Sequence, residues 1–175
     1  MSGAPPPPEE RFMGNIHGLL DVVKDCVETV TSKGFQIISP TLIELAGTVI
    51  SRYDNKFIIE TFINHSYMHW EKIKNREEEF FVVNASEIFS ELPLGNVDSF
   101  RQLFTLVDKG GKPIINQESR DEMWSMFEAL VKVSINYIHE NREMNTDGEY
   151  AYEFMEHINI KTEAGRWKMK LKAKA

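Results

Sequence analysis

Residues 54–92, DNKFIIETFINHSYMHWEKIKNREEEFFVVNASEIFSEL, carry the densest helical apolar pattern in the chain, its closest pair of histidines and its heaviest charge run. Any core must be built against this stretch. With Asp54 as N-cap, Ile59, Phe62, Ile63, Trp70 and Ile73 fall at helical spacing and predict one buried stripe, with Glu60, Asn64, Lys72 and Arg76 off it. The pattern loosens at residues 75–79, where like charges at Glu77, Glu78 and Glu79 read as a solvated face or a bend, and the apolar phase resumes at Phe80 and Phe81. The pattern predicts one long helix over residues 54–83. Asn84, with Glu87 three residues on, has the form of a capping box opening a short helix at 85–92, which Pro93 stops.

Around this stretch the remaining segments read mostly as helices. Ile16, Leu19, Leu20, Val23, Cys26, Val27 and Val30 recur at three- and four-residue steps, and Gly34 is placed to close that helix in a left-handed conformation. Residues 35–38 read as extended. Ser39 as N-cap, Pro40 at the first helical position and an Ile38–Ile43 staple open the next helix, with Leu42, Leu45, Ala46, Val49 and Ile50 as its expected buried face. Val97, Phe100, Leu103, Phe104 and Val107 mark a further helix; Asn116 caps a second long one with Met123, Phe127, Leu130, Val131, Ser134 and Ile138 inward. A short closing helix is expected over 150–158.

At 175 residues and 42% hydrophobic content the chain can fill one full core. The expected organisation is a Pro-rich, disordered lead-in at residues 1–10, a single all-α domain of six or seven helices over 11–160, and a basic tail at 161–175. The two long helices are expected antiparallel at the centre. A lone cysteine excludes an intramolecular disulfide scaffold and points to a reducing compartment, the cytoplasm. No apolar run approaches 18 residues and the first ten residues have no apolar leader region, so no membrane partner is expected.

Motifs that carry chemistry are weak or broken. His65 and His69 stand four apart, a spacing that can share a metal on a helix, but Ser66 occupies the place of a metalloprotease's glutamate. No metal site is assigned. Residues 108–113, DKGGKP, lack the spacing and the Ser or Thr of a phosphate loop, and NREMNTDGE at 141–149 lacks the calcium-loop pattern. Cys26 lies on an apolar face, as a small core residue does. With no converging acid–base pair and no Ser/His/Asp set, the sequence predicts a protein that is not an enzyme, with no cofactor and no small-molecule ligand.

The end of the chain changes register. Trp167, Met169 and Leu171 alternate with Lys168, Lys170, Lys172 and Lys174 after Arg166, the period of an extended strand, and a β-hairpin can form about residues 164–165. Residues 166–174 carry +5 with no acid; subtracting that from the net −7 leaves −12 for the rest. Three readings follow. The segment is an electrostatic arm for phosphates or an acidic protein, a strand folded back on the acidic body, or a strand donated to another chain.

The string F-I-x-x-S at residues 62–66, W-x-x-I-x-x-R-x-x-x-F at 70–80 and the helix ending at Leu92 and Pro93 resemble uncharacterised helical proteins of large nucleocytoplasmic DNA viruses. The resemblance covers about residues 58–142. It implies a viral protein in the host cytoplasm or the virion and assigns no catalytic residue. The expected function is non-enzymatic: an interaction or assembly protein, with a protein partner or self-association through Arg166, Trp167, Lys168, Met169, Lys170, Leu171, Lys172 and Lys174. The alternative is a nucleic-acid-associated protein whose tail binds phosphate.

Overall fold

The computed structural model describes residues 3–88 and 97–140, with the side chains of 85–88, 97, 98, 100 and 139 left aside. In the described residues seven α-helices follow one another: α1 (Pro8–Ser32), α2 (Pro40–Ile50), α3 (Asn55–Ser66), α4 (Trp70–Lys74), α5 (Glu78–Ile88), α6 (Val97–Thr105) and α7 (Gln117–Glu140). A 3-10 turn, Tyr67–His69, joins α3 to α4. Among the described residues the fold is all-α, with an isolated antiparallel bridge between Val107 and Pro113. The closing helix expected at 150–158 and the hairpin about 164–165 lie outside the described residues.

α1 begins earlier than its apolar pattern suggested. Pro7 is extended, φ −60° and ψ 157°, and its carbonyl accepts from the N–H groups of Glu10 and Arg11. Pro8 takes the first helical position, where its missing N–H costs nothing, and Glu9 and Glu10 meet the positive end of the helix dipole. The last three residues of the expected lead-in therefore belong to the helix, and Pro8 and Phe12 are buried. α1 ends as read. Gly34 is left-handed at φ 93°, its N–H reaches Thr31 O and the Phe35 N–H reaches Val30 O, the paired bonds of a Schellman close.

The single helix expected over 54–83 is three helices, and this is the main correction. α3 starts as predicted, with Asp54 Oδ1 accepting from the Lys56 N–H at 2.9 Å. It stops at Ser66, whose Oγ donates to Phe62 O and accepts from Trp70 Nε1 at 2.7 Å. A back-bonded serine bends a helix, and here the indole swings in and ends fully buried. α4 then closes by the same two bonds as α1: Arg76 N–H to Ile73 O and Glu77 N–H to Lys72 O. The left-handed residue is Arg76, φ 51°, where glycine is usual. Its guanidinium pairs with Glu128 at 2.9 Å and Asp121 at 3.5 Å on α7, which offsets the roughly 1 kcal/mol strain of that conformation. The capping box is also absent. Asn84 lies inside α5 and donates to Phe80 O, four residues back.

The central antiparallel pair is α1 with α7, not 54–83 with α7. Gly18 marks the crossing: a Cβ there would come within 2.6 Å of Met126 Cε, so the bare backbone of α1 leaves room for the methionine tip from α7. Around this pair the core divides in two. One part joins Phe12 to Ile59, Ile63, Trp70 and Ile73 and to residues 130–138 of α7; the other joins Val22, Cys26, Val27 and Val30 to Ile38, Ile43, Leu103, Ile115 and Met123. Partly buried Leu19 touches both.

Among the described residues one charge is buried. Arg120, 7% exposed, sends Nε to Ile115 O, one terminal nitrogen to Phe104 O and the other to Glu78, and lies over the Phe104 ring. It fastens α5 and the end of α6 to the start of α7.

Candidate interaction surface

α2 is held to α1 at several points along its length. Pro40 sets its start, Ile38 and Ile43 both sink into the core as the expected staple, and the Ser39 side chain makes no capping bond. Lys24 Nζ binds Glu44 at 2.6 Å, Gly47 lets Leu20 approach, and Ser51 Oγ lies 3.2 Å from His17 Nε2. These contacts fix which side of α2 faces inward, and it is narrower than the sequence predicted. Ile43 is the one buried residue of α2. Leu42 and Leu45 are 42% and 55% exposed, and Ala46, Val49 and Ile50 are half-buried. The expected apolar face is thus largely a surface.

The apolar strip runs on past the helix. Tyr53 follows in the turn, its N–H on Ile50 O, and its ring stacks on Phe57 of α3 with centroids 5.6 Å apart. Both rings are about half exposed. The Asp54 cap lies between them and fixes the step from one helix to the next. Where Lys24 joins α1 to α2, three carboxylates, Glu44, Glu28 and Asp21, raise its ammonium above the ordinary value, with the Glu44 hydrogen bond the largest cause. Other exposed apolar residues are scattered: Met68, Val83 and Val107. Val83 shares a shallow depression with Glu77, Glu78, Glu79, Phe80 and Asn84.

The arm residues, Arg166 to Lys174, lie outside the described residues. His65 and His69 are separated by the end of α3; His65 is exposed, while His69 packs on Phe80 and Phe81, with ring centroids 5.6 and 6.4 Å away. Among the described residues no group of three or more His, Cys, Asp or Glu side chains is placed to hold a metal. In the glycine-rich turn, Asp108 Oδ1 takes the N–H groups of Gly110 and Lys112 at 2.8 and 2.9 Å, the donors that a phosphate would need. Cys26 is buried, and desolvation, then the charges of Asp25 and Glu122, push its thiol up to about 11. Burial and the hydrogen bond to Glu60 hold the Tyr137 phenol above its ordinary range. None of the helices in the described residues is long and apolar enough to cross a membrane.

Arg120 and the strip were both missed by sequence reasoning, for opposite reasons. Arg120 stands three residues before Met123 and seven before Phe127, in phase with the apolar stripe of α7, and that misplaced charge was the available signal. Nothing in the α2 sequence says which of its apolar residues lacks a neighbour.

These features define an all-α protein with a core in two parts and an apolar strip on its outer side. Comparison with known proteins finds no matching family model, no matching curated protein and no matching solved structure.

Proposed function

We propose that this chain is a non-enzymatic interaction and assembly protein, which engages a protein partner or a further copy of itself through the strip of Leu42, Leu45, Tyr53 and Phe57 and the basic segment 166–174. One observation carries the reading: four large apolar side chains, each 42–55% exposed, follow one another along α2, its turn and the start of α3. Scattered exposed apolar residues are ordinary on a protein surface; a run of them is the usual mark of an interaction site. The acidic body and the +5 segment add opposite charges that speed and orient encounter. The viral resemblance of residues 58–142 gives the setting, a virion-associated or host-cytoplasmic protein.

Affinity capture from the native source tests this with the intact chain, the chain ending at Gly165 and the variant Leu45→Glu, each with and without nuclease. A protein complex that survives nuclease and is lost on either change is the expected result. A second reading rests on the five cations in residues 166–174. There the captured material disappears with nuclease, Leu45→Glu captures as the intact chain does, and affinity for duplex falls with salt at a log–log slope of about −4 to −5.

A further inference from the structure

We propose that residues 166–174 dock on the chain's own strip, so that Trp167, Met169 and Leu171 cover Leu42, Leu45, Tyr53 and Phe57 until a partner displaces them. The proposal deepens the reading of the strip as an interaction surface and rests on it.

Place, reach and charge support it. α7 ends at Glu140, and one turn earlier its Tyr137 hydroxyl donates to Glu60, itself one turn beyond Phe57 on α3. The chain therefore leaves the described body beside one end of the strip. Residues 141–165 lie between; even with the expected helix over 150–158 taking about 14 Å, the other 16 residues can extend up to about 50 Å, while α2 is only about 16 Å long. Every part of the strip is within reach. In an extended chain Trp167, Met169 and Leu171 share one face over about 14 Å, a length that suits the strip. The five cations of residues 166–174 meet a body whose formal charge is −12 without them, with Asp21, Glu28 and Glu44 gathered around Lys24 where α1 meets α2. The depression at Val83 is a poorer host: Lys72 already stands against Glu77 and over the Phe80 ring, and Arg120 holds Glu78.

Paired cysteines in the full-length chain test the placement. Leu45→Cys with Met169→Cys is compared with Val83→Cys and Met169→Cys, both partner positions being exposed. Native Cys26 is buried, with its thiol held protonated, and so stays silent. At micromolar protein the 45–169 disulfide is expected to form within one chain, at least 10-fold faster than 83–169 and at a rate independent of concentration. Adding Phe57→Glu should bring it down to the 83–169 rate. Equal rates at the two positions overturn the proposal, as random tether collisions would give. A predominantly dimeric product overturns it in favour of a second copy on the strip. Because the chain is assayed alone, failure here leaves the capture result standing, and failure of capture leaves the cross-link standing.

Discussion

α2 and α3 are of nearly equal length, both rest on α1 and both carry large apolar side chains, yet they are buried to very different degrees. α3 sinks Ile59 and Ile63 completely between α1 and α7, and its Glu60 accepts the Tyr137 hydroxyl from α7. α2 buries Ile43 and leaves Leu42 and Leu45 outside. Burial follows the number of neighbours, not the hydrophobicity of the segment. A helix between two others has a wider inner stripe, so α3 hides all its apolar residues but Phe57 at its start, wholly or in part, whereas a helix laid against one partner hides only the residues on the contact line.

The comparison can be broken hardest on the α3 side. Trp70→Ala removes a fully buried indole and its bond to Ser66, and should cost about 3–5 kcal/mol in a urea titration. Arg120→Ala strands two backbone carbonyls and Glu78 at the junction of α5, α6 and α7, and an unfolding midpoint equivalent to a loss of about 2–4 kcal/mol is expected. Arg120→Met should recover part of that through packing alone.

Tyr137→Phe leaves Glu60 without its donor and should cost about 1–2 kcal/mol at neutral pH. Its pH dependence sharpens the test. The folded phenol is harder to ionise than the unfolded one, chiefly through burial, so it adds stability that is complete below the ordinary tyrosine pKa of about 10 and is lost as pH rises through the higher folded value. Wild type should therefore lose its advantage over Tyr137→Phe above about pH 10, which thermal melts of the two proteins will show. At the other end, Leu45→Gln on α2 should change unfolding stability by less than about 1 kcal/mol, because no packed neighbour is lost from the core. A cost as large as that at Trp70 would mean that α2 is as deeply embedded as α3.

Much of the fold was written in local signals. The Asp54 and Asn116 caps, the proline start of α2 and the left-handed Gly34 all act within four residues of themselves, and all four are where the sequence places them. The breaks after α3 and α4 were not legible, because each depends on something distant or atypical. The bend at Ser66 is tied to an indole drawn into the core, and Arg76 holds a glycine's conformation with the help of Glu128, 52 residues away. The candidate site was half legible. The alternation in residues 166–174 is plain in the sequence, but the strip is visible only once α1 is seen to cover one side of α2.

The pairing of α1 with α7 also sets the order of events during synthesis. The two helices lie at opposite ends of the described fold, and more than eighty residues separate Ser32 from Gln117. At ordinary translation rates that interval lasts about 4–17 s. Throughout it the stripe of Phe12, Val22, Cys26, Val27 and Val30 is made but lacks its main partner. α2 and α3 emerge first and can lie on α1 as temporary cover, so the nascent chain keeps a shielded half-core in waiting until α7 arrives to close it.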